Sequence, residues 1–196
     1  IIQVNKDGEN SIIIHGGANR AFESNQIDMI LKNFNQGDIL LLQNEINKIP
    51  EIIEKAKNIG MKIFFNPAPM TKEVLNYPID LVDCLIVNES EAKKLTGEDL
   101  DSDEIINLLK NKYSNASILL TLGEKGSIYS YKTKYLKCEA MKVKAIDTTA
   151  AGDTFIGYFI SHLSRDKEIK DCLSIASKAA SICVTKKGGA ISIPKI

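Results

Sequence analysis

The stretch DILLLQNEINKIPEIIEKAKNIGMKIFFNPAP, Asp38 to Pro69, decides the fold class. Asp38 to Gln43 is a compact apolar run of strand length, and Lys48 to Asn58 is a helical stretch that ends at Gly60. Met61 to Phe65 is again a strand, stopped by Asn66-Pro67-Ala68-Pro69. The same rhythm continues outward. Leu81 to Val87 (LVDCLIV) predicts a strand, followed by a helix ending near Thr96-Gly97. Asp101 and Glu104 stand as a capping box before Ile105, Ile106, Leu108 and Leu109, and Ser117 to Leu122 is another buried strand. Apolar strands separated by such helices predict an α/β fold, a parallel sheet covered on both faces.

Two regions depart from this alternation. Ile1 to Val4 and Ser11 to His15 flank Lys6-Asp7-Gly8-Glu9-Asn10, which predicts a hairpin with an Asp-Gly turn. Ser127 to Tyr131, Tyr135 to Glu139 and Met141 to Ala145 predict a meander, after which helices resume over Gly152 to Ser164 and Glu168 to Lys187. No linker, repeat or low-complexity tract is visible, so residues 1–196 are expected to form one domain.

Composition excludes several classes. Basic and acidic residues balance at 25 each, so no net field draws the chain to nucleic acid or an anionic membrane. Aromatic residues are 6% and tryptophan is absent, which argues against stacking on single strands. No apolar run is long enough to span a bilayer. Ile1 to Asn10 lacks a signal-peptide pattern and a starting methionine, which points to a fragment or a processed chain. Cys84, Cys138, Cys172 and Cys183 are not spaced as a metal knuckle or redox pair, so free thiols in a reducing cytoplasm are expected.

The glycines narrow the chemistry. No two are two residues apart, which excludes the G-x-G-x-x-G fingerprint, and Tyr158 occupies the place of a P-loop lysine after Gly152 and Gly157. Instead, Ala150, Ala151 and Gly152 stand where an amphipathic helix is about to begin, with Asp153 in its first turn. Side chains this small let the unpaired amides of the turn face an anion. An anion site beside a fixed carboxylate suits phosphoryl transfer to an alcohol. On its own, the same pattern also suits an Asp147 N-cap with Asp153 favouring the helix dipole.

Taken whole, DTTAAGDTF at Asp147 to Phe155 resembles the signature of the ribokinase-like carbohydrate kinases, which include fructokinases and adenosine kinase. Asn66-Pro67-Ala68-Pro69, Asn88-Glu89-Ser90-Glu91, Thr121-Leu122-Gly123-Glu124-Lys125-Gly126 and Val184 to Pro194 resemble further family motifs in the family's order. The resemblance implies a three-layer fold, a mainly parallel sheet flanked by helices with ligands at its carboxyl edge. It also implies ATP-dependent phosphorylation of the primary hydroxyl of a sugar, D-ribose to D-ribose 5-phosphate foremost, in the cytoplasm.

Roles follow from the same resemblance. Asp153 corresponds to the catalytic base, and Gly152, Ala151 and Ala150 to the anion hole. Asn88 would touch the nucleotide phosphates, and Glu91 would hold Mg²⁺ through water, although N-x-x-E before a helix is equally a capping box. Thr121, Gly123, Glu124, Lys125 and Gly126 would line the nucleotide, with Ser177 near adenine, where relatives often have Asn or His. Glu45 would bind sugar hydroxyls. Asp147 and Ser192 match the side chains of a K⁺ site, and Thr149, Cys183, Lys186 and Gly188 match its carbonyls. His15 and His162 are expected to be structural.

Gly16-Gly17-Ala18-Asn19 differs from the family's opening motif, and nothing resembles its sugar-binding start or β-lid. The chain is therefore expected to be the nucleotide-binding and catalytic part of a longer kinase, one that can form a homodimer through its lid. The alternatives are a truncated nucleotide-binding remnant or interaction module without kinase activity, or a relative that acts on fructose or a nucleoside.

Overall fold

The computed structural model describes residues 2–4, 10–13 and 15–196. Strands β1 (Ile2–Val4) and β2 (Asn10–Ile12) pair antiparallel, Ile2 opposite Ile12. The expected Asp-Gly turn lies outside the described residues. Helix α1 (Ser24–Leu31) precedes β3 (Ile39–Gln43), α2 (Ile49–Ile59) and β4 (Lys62–Asn66). Then come β5 (Cys84–Asn88), α3 (Glu89–Thr96), α4 (Ser102–Lys112) and β6 (Ser117–Thr121). Strands β7 (Ser127–Tyr131) and β8 (Lys134–Cys138) lead to α5 (Ala151–Leu163) and α6 (Ile169–Cys183).

Strands β3 to β8 form one sheet in sequence order, parallel from β3 to β6 and antiparallel from β6 to β8. The inner strands are mostly apolar because both faces are covered, with the small Ser117, Ser127 and Ser130 the buried polar exceptions in β6 and β7. Ile63, Phe65, Leu85, Val87, Ile118 and Leu120 join the core under α1 to α4. Their alternates Phe64, Cys84, Ile86 and Leu119 pack with Phe155, Phe159, Cys172 and Leu173 of α5 and α6. That period of two, buried on each side, makes the three layers expected from the sequence. Edge strand β3 is less covered, and Leu41 is 44% exposed.

Four elements differ from expectation. Residues 141–145 form no strand, although Met141 and Val143 alternate with lysines. The loop crosses α6 instead, held by the Ser177 hydroxyl donating to the Glu139 carbonyl (3.3 Å) and the Ser181 hydroxyl to the Met141 carbonyl (3.4 Å). Helix α6 ends at Cys183 rather than Lys187, because Val184 to Gly189 turns back toward α5. Strand β5 starts at Cys84, after a short 3-10 turn over Ile79–Leu81. Asp147 is not the N-cap of α5; Ala150 is.

The carboxyl ends of the parallel strands gather the sheet's polar side chains. Each apolar run ends in a side chain with an amide or hydroxyl: Gln43, Asn66, Asn88 and Thr121. Gln43 lies opposite Asn66 in the register, and Asn88 opposite Thr121. Between β4 and β5 the ladder stops after Phe65 opposite Leu85, and the Asn66 side chain takes the Ile86 carbonyl at 2.8 Å. No helix among the described residues is long and apolar enough to cross a membrane, and all four cysteines are free.

Gly126 closes the turn from β6 into β7 at φ 104°, and a Cβ there would sit 2.0 Å from the Cys138 carbonyl oxygen. Backbone cannot yield as a flexible side chain can. Gly126→Ala is expected to cost about 3 kcal/mol or more of stability. In urea unfolding this appears as a lower midpoint at unchanged slope. An unshifted midpoint would refute the steric account.

Candidate active site

The residues before α5 build an unusual helix entrance. The Thr149 amide donates to Asp147 Oδ1 at 2.9 Å, an Asx-type turn, and the Ala151 amide donates to the Thr148 carbonyl at 3.2 Å. Ala150 then takes a left-handed conformation, φ 61°, rare for a residue with a Cβ. The Thr154 amide reaches back to the Ala150 carbonyl, starting the helical ladder. Gly152 and Asp153 are exposed, and among the described residues their amides meet no acceptor. Bare amides at a helix start carry a partial positive charge.

The Asp153 carboxylate is also exposed, and its Oδ1 accepts from Gln43 Nε2 at 3.0 Å. Gln43 Nε2 also donates to Asn66 Oδ1 at 3.2 Å, and Asn66 Nδ2 lies 3.3 Å from Glu91 Oε2. A chain of polar groups thus joins the start of α5 to the ends of β3, β4 and β5. The sequence motifs point neither to Gln43 nor to a role for Asn66. The one signal that could have found both is the polar residue closing each apolar strand.

Asn88 and Glu91 form the capping box of α3: Asn88 Oδ1 accepts the Glu91 amide (2.8 Å) and Glu91 Oε2 accepts the Asn88 amide (2.9 Å). Burial lifts the Glu91 carboxyl above its ordinary range, against the pull of the Asn88 amide and Asn66. Asn88 is exposed at the sheet edge. Beside it, the Thr121 hydroxyl donates to the Val87 carbonyl (3.4 Å), and Gly123–Lys125 makes a 3-10 turn. Lys125 Nζ stands 3.6 Å from Glu89 Oε1, and Glu124 is exposed. Ser177 is buried, its hydroxyl spent on the Glu139 carbonyl.

Asp147, Thr149, Cys183, Gly188 and Ser192 come together behind the α5 entrance. Asp147 Oδ2 accepts the Gly188 amide at 2.9 Å. The Gly188 amide, the Thr149 hydroxyl and the Thr149 amide together hold the Asp147 carboxyl down at about 2. The buried Cys183 thiol points to the Thr149 carbonyl (3.8 Å) and lies 3.0 Å from Ser192 Oγ, which donates to the Gly189 carbonyl at 2.7 Å. The Lys186 amide donates to the Cys183 carbonyl, and its side chain is exposed.

Glu45 sits half-buried in the turn two residues beyond Gln43. That turn is held from both sides. Asn47 exchanges two hydrogen bonds with the Phe22 backbone, and Arg20 Nη1 donates to the Ile46 carbonyl at 3.2 Å. The buried Asn44 donates to the Pro69 carbonyl and accepts from the Tyr77 hydroxyl. His162 Nδ1 lies 3.0 Å from the Tyr158 carbonyl, and His15 is exposed.

Two clefts lie away from this edge. One of about 470 Å³ is between α1 and α2, and one of about 660 Å³ is at the amino ends of β3 and β4. The carboxyl edge is the candidate site nonetheless, because bare amides, an exposed carboxylate and four polar strand ends lie there.

A family model described as pfkB family carbohydrate kinase matches residues 1–196. The chain belongs to the pfkB family of carbohydrate kinases. Among family relatives, a ribokinase of Staphylococcus aureus is 36% identical over 98% of this chain. The solved structure of a Thermotoga maritima ribokinase superposes with a TM-score of 0.84 at 36% identity over 98% of the chain. That of Arabidopsis thaliana ribokinase, complexed with ribose and ATP, gives 0.82 at 30% identity, also over 98%. The chain spans 64–65% of the length of these pfkB relatives.

The lowered Asp147 carboxyl gives a pH test. Its pKa is depressed from 3.8 to about 2, so its stabilisation is complete above pH 3.8 and lost as pH falls through about 2. The melting temperatures of the unaltered protein and Asp147→Asn are expected to differ most above pH 3.8 and to converge toward pH 2. A gap that stays constant over that range would refute the assignment.

Proposed function

We propose that this chain is the nucleotide-binding and catalytic part of an ATP-dependent sugar kinase that phosphorylates the primary hydroxyl of D-ribose, giving D-ribose 5-phosphate. The observation that carries the reading is the pair of bare amides, Gly152 and Asp153, beside the exposed Asp153 carboxylate. The ribokinase relatives favour D-ribose over fructose or a nucleoside.

In this reading the bare amides of Gly152 and Asp153, at the turn opened by Ala150, take up charge on the migrating phosphoryl group, whereas the Ala151 amide, expected to share in the anion hole, is engaged by the Thr148 carbonyl. Asp153 accepts the hydroxyl proton as the oxygen attacks phosphorus. Asn88 faces the phosphates of the nucleotide, and the Thr121 to Gly126 turn lies along its diphosphate, with Gly123, Glu124, Lys125 and Gly126 lining it. Ser177 bears on the adenine end through the Glu139 loop that it holds. Glu45 binds sugar hydroxyls from its braced turn.

Two cations fit the donors present. Oxygen ligands around a carboxylate held ionised suit K⁺: the side chains of Asp147 and Ser192, and the carbonyls of Thr149, Cys183, Lys186 and Gly188. Glu91, with Oε2 engaged in its cap, would hold Mg²⁺ through water from its other oxygen. When bound, these ions supply positive charge beside the anion hole and along the phosphates.

ADP release coupled to D-ribose tests the reading. Asp153→Asn is expected to lower kcat by about 100-fold or more while ATP affinity, by calorimetry, stays within about threefold. A loss below about tenfold, roughly 1.4 kcal/mol, would show that Asp153 is not the base. ATP binding without ADP release on any sugar, in this chain and in the longer protein, would support a nucleotide-binding module instead. Replacing K⁺ by Na⁺ is expected to reduce the rate severalfold, and an unchanged rate would remove the K⁺ assignment.

A further inference from the structure

The polar chain along the sheet edge has a direction, and its source is a backbone carbonyl. The Ile86 carbonyl can only accept, and it meets the Asn66 side chain at 2.8 Å. Glu91 Oε2, already accepting from the Asn88 amide, lies on the same side of Asn66. Asn66 must therefore turn its nitrogen toward these two acceptors. The opposite rotation would press three acceptor oxygens together around a side chain only 7% exposed.

With its nitrogen committed, Asn66 shows its oxygen to Gln43, 3.2 Å away. Gln43 in turn must present Nε2, and the second hydrogen of that group falls on Asp153 Oδ1 at 3.0 Å. Four groups from β5, β4, β3 and α5 are thus oriented in series.

We infer that Gln43 is a positioning residue for Asp153, resting on the reading of Asp153 as the base. Gln43 occupies one acceptor site of Oδ1 and fixes the rotation of the carboxylate, which leaves Oδ2 as the oxygen without a protein donor and the one that takes the acceptor proton. In that step the hydroxyl oxygen forms its bond to the γ-phosphorus and its proton passes to Oδ2. The bond from the γ-phosphorus to the bridging oxygen breaks, and ADP leaves with that electron pair. Asn66 acts one place further back, by setting which face of the Gln43 amide meets Asp153.

Two substitutions separate this role from simple packing. Gln43→Glu nearly preserves shape but places acceptors against Asn66 Oδ1 and Asp153 Oδ1. Gln43→Leu only removes the donor. A packing role makes Glu the milder change, whereas a directed donor makes it the more damaging one. Gln43→Leu is expected to lower kcat about 10- to 100-fold with the ATP KM within twofold, and Gln43→Glu to lower it further. Adding Gln43→Leu to Asp153→Asn is expected to change nothing more. Glu milder than Leu, or additive losses in the double variant, would overturn the proposal.

A second readout does not need turnover. The side-chain NH₂ resonances of Gln43 should move in Asp153→Ala, and those of Asn66 should move in Gln43→Leu, with the fold intact by circular dichroism. Unmoved resonances would overturn the proposal whether or not the chain is active. Moved resonances with no phosphoryl transfer to any sugar, in this chain and in the longer protein, would uphold the relay and sink the kinase reading instead.

Discussion

One carboxylate ties the two halves of the site together. Asp147 Oδ1 holds the Thr149 amide and Oδ2 the Gly188 amide, so the same group governs how the chain enters α5 and how it returns after α6. With Thr149 pinned, the chain reaches α5 through Ala150 in the left-handed region, at roughly 1–2 kcal/mol. The helix behind it can carry that strain. Phe155, Ile156 and Phe159 are buried against the sheet and α6, each contributing about 1.5–3 kcal/mol. The bare amides are therefore a product of core packing as much as of the loop.

The sheet supplies the other constraint. Strands buried on both faces admit few polar side chains larger than serine until they leave the layers, so the side-chain amides collect at the carboxyl ends. Asn66 is the hinge of this arrangement. It stands where β4 and β5 cease to pair, and its side chain replaces the missing backbone bond by taking the Ile86 carbonyl. A local repair of the ladder thereby becomes the fixed point from which Gln43 and Asp153 are oriented.

The parallel layers were legible in the sequence because apolar runs buried on both faces leave an unmistakable composition, as in KIFF at Lys62 to Phe65 and ILL at Ile118 to Leu120. The capping boxes at Asp101 and Asn88 were legible because they are local. Met141 to Ala145 misled, since alternation marks a strand only if a neighbour offers a ladder, and here α6 offers serine hydroxyls to loop carbonyls instead. The end of α6 was hidden by lysines that are equally at home in a helix. Gln43 escaped notice because its partner Asp153 is 110 positions away, and no local pattern encodes that meeting. The motif at Gly16 to Asn19, unmatched in the sequence, leads into a segment that braces the Glu45 turn through Arg20 and Asn47.

The two ends of the proposed reaction are prepared to different degrees. Amides held open by Asp147 and by α5 are fixed dipoles, so they need not reorganise when charge develops on the phosphoryl group. The same holds for a carboxylate whose rotation is set by Gln43. Proton acceptance is different, because the exposed Asp153 oxygen meets water as readily as a sugar hydroxyl unless that hydroxyl is held in line. In the proposed reading Glu45, in the turn braced by Arg20, contributes to that grip. Contacts gripping the sugar therefore act mainly on the probability of alignment, while the α5 entrance acts on the barrier once alignment is reached.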